Sequence, residues 1–169
     1  MRNASDLLDP RRWRAMNSLA SFLLAAGLAA SLGACASNEA ESNPPDGWVT
    51  IRNRKVAIEI ADTPQKQALG LGERNDLPWD HGMLFTYERA GFRSFWMKGM
   101  RFSIDIVWIL NERIVGIDPN VPFEKGGNGP TLNAPSLIDA VLEVPAGYAA
   151  ARGWRIGDRV LTEGVQRSE

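Results

Sequence analysis

The seven residues Ile104 to Leu110 read Ile-Asp-Ile-Val-Trp-Ile-Leu and are apolar on both faces of an extended chain except at Asp105. A strand with one solvated face alternates apolar and polar residues; one that is apolar on both sides has to be covered twice. This segment is therefore predicted to be a central strand. Asp105 is its anomaly, since an acid buried alone is costly and needs a cation or several hydrogen-bond donors.

The segments on either side fit a β-rich domain. Val56, Ile58 and Ile60 alternate with Ala57 and Glu59, the pattern of a half-buried strand, and Trp48 to Arg52 reads as a preceding strand with a turn at Asn53-Arg54. Thr63-Pro64 starts a helix, with Thr63 as N-cap and Pro64 in the first helical position, and Gly70 and Gly72 limit it to about two turns. Met83 to Glu88 and Phe92 to Lys98 are predicted as a hairpin joined near Arg89-Ala90-Gly91. Asn111-Glu112 turns the chain into Arg113 to Asp118, and Pro119 to Pro135 reads as loop. Leu137 to Val144 is a further strand. Pro145 opens a short helix through Arg152, stopped by Gly153, and Arg159 to Glu163 is the last strand. Strand-helix alternation of the doubly wound kind is absent. The expected fold is α+β and β-rich: a mostly antiparallel sheet or partly closed barrel of seven or eight short strands with two short helices.

The first 35 residues have a different logic. Arg11-Arg12-Trp13-Arg14 precedes an apolar run from about Leu19 to Leu32, and Leu32-Gly33-Ala34-Cys35 closes it with the single cysteine of the chain. That order of basic, apolar and small residues before Cys resembles the lipobox of bacterial lipoproteins. It implies lipidation of Cys35 and cleavage before it. The apolar run is short for a bilayer crossing, which needs ~20 residues, and suits a signal peptide. Acylation at Cys35 would supply the membrane affinity, and Ala36 after it favours the outer over the inner membrane. The expected location is thus a periplasm-facing membrane lipoprotein.

Removing residues 1–34 takes away four arginines and two aspartates from the 19 basic and 20 acidic residues, leaving 15 against 18 and a net charge of −3. Nucleic-acid binders carry a basic excess or stripe, so a nucleic-acid partner is not expected. The remaining 135 residues can bury a core without disulfides. Residues 36–46 are small, polar, acidic and end in proline, which is linker composition. The predicted organisation is a signal peptide at 1–34, lipidated Cys35 and linker through 47, one globular domain at 48–164, and a tail at 165–169.

Several short motifs fall in one order. They are Ala61-Asp62-Thr63-Pro64 with Gly70, Leu77-Pro78 with Gly82-Met83-Leu84-Phe85, Phe95-Trp96-Met97-Lys98, Ile104-Asp105-Ile106, Val141-Leu142-Glu143-Val144 with Ala146-Gly147, then Gly153 and Gly157-Asp158-Arg159-Val160. In this order the chain resembles the bacterial and archaeal family called domain of unknown function 192, over nearly all of residues 49–163. The resemblance implies a compact β-rich domain, often exported or anchored, with no assigned activity. It departs from the family pattern after Lys98, where members commonly carry Asn and Thr and this chain has Gly99-Met100.

Candidate site residues follow from the same segments. On a strand, Ser94, Trp96 and Lys98 share one face and Phe95 and Met97 the other. A hairpin could bring Lys98 to Asp105, giving a polar pocket with Trp96 as a stacking wall. The structural alternative is an internal ion pair or a capping carboxylate. Asp80 and the single histidine, His81, sit in a loop, and an isolated loop histidine is usually solvated. A nitrogen and sulfur metal site is out of reach with one His and an acylated Cys35, and no metal or cofactor is expected. Gly126-Gly127-Asn128-Gly129 lacks the ending of a phosphate loop and reads as a flexible segment. Five tryptophans remain in the mature chain; Trp108 belongs to the core, while Trp79 or Trp96 could line a cleft.

The function expected is a lipid-anchored envelope domain that binds a small ligand or a partner protein in the periplasm without catalysis. The enzyme alternative is a carboxylate-dependent hydrolase of an envelope substrate such as a glycan, drawing on Asp80, Asp105, Asp118, Asp139 or Glu143. It needs two acids ~5–10 Å apart.

Overall fold

A computed structural model of the chain describes residues 44–165. Cys35, the signal segment and most of the linker lie outside the described residues. Nine strands and two helices follow in the order β1 (Gly47–Ile51), β2 (Arg54–Ala61), α1 (Pro64–Leu69), β3 (His81–Gly91), β4 (Ser94–Trp96), β5 (Ile104–Leu110), β6 (Arg113–Val121), β7 (Thr131–Asn133), β8 (Ile138–Pro145), α2 (Tyr148–Ala151) and β9 (Val160–Glu163). None of the helices described is long and apolar enough to cross a membrane.

Seven strands form one sheet in the order β6-β5-β8-β3-β2-β1-β9, and β4 pairs with β7 in a separate ribbon. The sheet is mixed rather than purely antiparallel, because β2 and β3 run parallel, with α1 in the connection between them. A parallel pair cannot be joined by a tight turn, and the helix supplies the crossover. The sheet curls so far that its edges touch: Arg113 bridges Arg159, and Val160 N–H donates to the Glu112 carbonyl at 2.8 Å. The two tight turns sit at Arg52-Asn53 and Asn111-Glu112, both pairs at positive φ, as two-residue hairpin loops require.

The curl divides the apolar residues into two cores. Inside it lie Val49, Ile51, Val56, Ile58, Leu84, Val107, Ile109, Leu142 and Val144, closed by Tyr148, Ala149 and Trp154. On the outer face of the central strands lie Met83, Phe85, Ile104, Ile106, Trp108 and Val141, covered by Leu71, Phe95, Met97 and Met100. Strand β5 is buried along six of its seven residues and takes part in both, as its composition requires. Trp108 is fully buried, and its indole N–H donates to Asp118 at 2.6 Å.

One expected pairing is corrected. Strand β3 does not form a hairpin with β4; it pairs with β2 and β8, while β4 crosses to β7. β3 is long, and both its edges are taken by strands with larger apolar faces. The domain also begins earlier than Trp48. Gly47 opens β1, Asp46 N–H donates to the Ile58 carbonyl, and the Asp46 carboxylate accepts from Ile60 N–H at 2.8 Å.

Candidate functional site

The outer face of β3 and β8 is not covered completely. Between it, α1 and the β4 segment lies a cavity of about 310 Å³. Each wall has a local cause. Thr63 caps α1 by accepting from Lys66 N–H at 3.3 Å, and Gly70, at φ 52°, ends it after six residues. The Gln67 amide donates to the Ala61 and Thr86 carbonyls at 3.2 and 3.1 Å, which clips the helix to β2 and β3. Held in this way, α1 buries none of its own residues, and Ala68 and Leu69 line the cavity, Leu69 at 59% exposure.

The opposite wall comes from the β4 ribbon. Ser94 Oγ donates to Asn133 Oδ1 at 2.6 Å, and Ala134 N–H to the Arg93 carbonyl at 2.9 Å. Glu73 N–H donates to the Gly99 carbonyl at 2.8 Å, joining this wall to the turn after α1. Ser94, Trp96 and Lys98 all line the cavity, as their shared parity predicts, and Trp96 is 53% exposed. Phe95 and Met97 are buried beneath them. Phe95 packs edge-on against Phe85 at 4.9 Å and against Trp108 at 5.4 Å, so the wall stands on a rigid aromatic base.

Glu143 of β8 also lines the cavity. Leu142 and Val144 point into the curl, so Glu143 projects to the outer face, between Met83 of β3 and Ile106 of β5. It is buried, and its Oε2 has no hydrogen-bond partner. Burial raises its pKa to about 8, so the group is mainly a neutral acid at pH 7. The two cations of the lining are Arg93 and Lys98. Among the described residues neither makes an ion pair with Glu143. The Arg93 guanidinium instead lies over the Tyr87 ring at 4.2 Å, with its Nε buried and unpartnered. Burial also pushes the Tyr87 hydroxyl upward.

The other predicted site residues lie elsewhere. Asp105 is fully buried on the opposite side of the sheet from Lys98. Its Oδ1 accepts from Asn120 N–H and Gly147 N–H at 2.8 Å each, and its Oδ2 from Ala149 N–H at 2.9 Å. The expected meeting of Lys98 and Asp105 therefore does not occur: Ile104, Ile106 and Trp108 occupy the outer face, which puts Asp105 on the inner one. It acts as a capping carboxylate that ties β5 to the end of β6 and the start of α2. Asp80 accepts from the Tyr148 hydroxyl at 2.8 Å and from Arg152 at 2.6 Å, and both donors hold its carboxyl below the usual range. His81 is exposed at the start of β3 beside Asp80, in a separate open depression that also takes in Trp48 and Lys55. Trp79 packs on Tyr148 at 5.0 Å. No group of three or more acidic, His or Cys side chains suited to a metal ion occurs among the described residues.

The sequence offers Glu143 as part of the Val141-Leu142-Glu143-Val144 motif and as one of the possible hydrolase acids, and does not single out Arg93, Tyr87 or Leu69. For Glu143 a signal existed, since it is an acid inside an apolar strand, as Asp105 is.

The comparisons with known proteins agree with the fold. The family termed DUF192, described as an uncharacterized ACR, matches residues 47–162. The chain belongs to this family. It is similar to the crystal structure of a Sinorhizobium meliloti protein described as a candidate transcription regulator, at 27% identity and TM-score 0.64, covering 70% of this chain and 95% of that one. It is also similar to a protein of unknown function from Novosphingobium aromaticivorans, at 32% identity and TM-score 0.62, covering 68% of this chain and 83% of that one. Among curated proteins nothing matches.

Proposed function

Starting from membership of a family without an assigned activity, we propose that the protein is a lipid-anchored envelope domain that binds a small ligand in the cavity between α1 and β4. The observation that carries this reading is the preformed cavity of about 310 Å³ with exposed Leu69 and Trp96 on its walls. Binding sites are concave and combine apolar walls with polar groups that orient a ligand, and this lining joins Leu69, Phe85 and Trp96 to Gln67, Arg93, Lys98 and Glu143. The anchor at Cys35 rests on the lipobox and would hold the domain at the periplasmic face of the membrane, the outer one by the residue Ala36.

The hydrolase alternative has less support. Glycosidic chemistry needs two facing carboxyls, and Glu143 is the one acidic residue in the cavity lining. The next acid on that face of β8 is Asp139, four residues away, or ~13 Å along a strand. Transcriptional regulation, the role in the description of the Sinorhizobium protein, also has less support here. The mature chain is acidic, and the described helices have six and four residues, short for a helix that reads a major groove.

Mass spectrometry of the native lipoprotein after gentle extraction tests the proposal. A small molecule should copurify with wild type and be lost from Ala68→Trp, whose indole would occupy the cavity. Equal recovery from both proteins, or from neither, would refute the assignment of this cavity.

A further inference from the structure

Glu143 and two cations that have no carboxylate partner among the described residues, Lys98 and Arg93 (whose Nη2 donates to the Arg89 carbonyl at 3.3 Å), indicate what kind of ligand the cavity takes. A buried carboxyl with no partner is unusual, because lost hydration is normally replaced by hydrogen bonds. Here the structure supplies no donor to Oε2, although Arg93 and Lys98 line the same cavity. Had the site been built for a cationic ligand, its rim would be acidic. It is basic, and the one acid lies at the floor among apolar side chains.

We propose that the cavity takes a small organic anion with an aromatic or aliphatic body, its acidic group held by Arg93 and Lys98 at the rim, its body against Trp96 and Leu69, and a neutral polar tip hydrogen-bonded to Glu143. This deepens the binding reading above and rests on it. Each element of the ligand answers a feature of the cavity. The acidic group meets cations that have no carboxylate partner, the body covers exposed apolar surface, and the tip completes Oε2. Glu143 is suited to a neutral tip such as a hydroxyl because, as an acid, it can both donate and accept. The titratable or charged groups that share its cavity are Tyr87 of β3, Arg93 and Lys98; α1 contributes Pro64, Gln67, Ala68 and Leu69, none of which titrates, and the cross-strand neighbours are Met83 and Ile106.

The experiment compares 4-hydroxyphenylacetate, phenylacetate and tyramine by calorimetric titration of the full mature chain at millimolar ligand. 4-Hydroxyphenylacetate has the anion, ring and hydroxyl; phenylacetate lacks the hydroxyl, and tyramine replaces the anion by a cation. At pH 7, 4-hydroxyphenylacetate should bind at least ten-fold more tightly than tyramine, a difference of ~1.4 kcal/mol or more. Lys98→Met and Arg93→Met should each weaken it at least five-fold, with melting curves confirming that the variants are folded. The advantage of 4-hydroxyphenylacetate over phenylacetate should vanish in Glu143→Leu and persist in Glu143→Gln. Wild-type affinity should fall as pH rises through about 8, where Glu143 ionises, and the Gln variant should not show that fall. Tyramine binding as tightly as 4-hydroxyphenylacetate would overturn the anion assignment and leave the cavity a binding site. Binding of none of the three would overturn the anion assignment, while copurification with wild type against Ala68→Trp decides separately whether the cavity holds a ligand.

Discussion

Asp105→Asn is the sharpest test of how this fold is held together. The carboxylate is fully buried and accepts three backbone N–H groups, two on Oδ1 and one on Oδ2. An asparagine can keep its oxygen on Asn120 and Gly147, but its amide nitrogen then faces the Ala149 N–H, donor against donor. The substitution loses a charge-assisted bond worth ~1.5–3 kcal/mol and strands a buried N–H at a cost of ~1–3 kcal/mol, so a net loss of ~3 kcal/mol is expected once local relaxation is allowed for. For a domain of about 120 residues, an unfolding entropy of ~2.1 cal/mol/K per residue converts this to a fall of ~12 °C in Tm. Lys98→Met is the control, because Lys98 is exposed and makes no ion pair among the described residues; it should move Tm by no more than about 2 °C. Thermal melts followed by circular dichroism at pH 7 read both values. If Asp105→Asn melts within 4 °C (roughly 1 kcal/mol) of wild type, the carboxylate does not brace α2.

Three further outcomes are expected. Glu143 has a folded-state pKa of about 8, raised by burial from 4.5; the unfolded chain therefore ionises first, and stability is full below pH 4.5 and lost as pH climbs through 8, by ~5 kcal/mol at most. Glu143→Gln should match wild type at pH 4 and exceed it by a few kcal/mol at pH 9, and melts across that range that stay parallel would refute the shift. Cys35→Ser should leave the membrane fraction or accumulate unprocessed; an unchanged detergent-phase partition would remove the anchor from the reading. A chain beginning at Asp46 should melt with the mature protein, whereas one beginning at Thr50 should lose more than ~3 kcal/mol, since it deletes buried Val49 and breaks β1 between β2 and β9; equal melting of the two would mean that β1 is dispensable.

What was legible in the sequence follows from where local chemistry decides the outcome. Thr63-Pro64 and Gly70 mark both ends of α1 because capping is settled within a few residues, and Thr63 does accept from Lys66 N–H. The alternation in β2 and the double-sided apolar run of β5 fix which face is buried, whatever the partner strand. The partners themselves were not legible. Arg89-Ala90-Gly91 looks like a hairpin turn, yet β3 continues through it to Gly91, and β4 finds its partner in Thr131–Asn133, inside a stretch rich in Pro, Gly and Asn. A three-residue strand has no periodicity to read. Likewise, the parallel β2–β3 pair depends on α1 crossing the sheet, a choice made by tertiary packing.

The two buried acids show how far composition reaches. Asp105 and Glu143 each sit in an apolar strand of the same sheet, and as lone buried acids both need donors. Parity separates them: Asp105 shares the inner face with Val107 and Ile109, and Glu143 the outer face with Val141. On the inner face the chain returns as α2, whose first N–H groups, with that of Asn120, satisfy Asp105 completely. On the outer face α1 arrives with Gln67 already committed to the Ala61 and Thr86 carbonyls, and the other residues it brings to the cavity, Pro64, Ala68 and Leu69, carry no side-chain donor for Glu143. The same residue chemistry thus gives a brace where backbone donors converge and an unfilled hydrogen-bonding position where apolar walls converge. For this reason the search for a ligand belongs at Glu143 and not at Asp105.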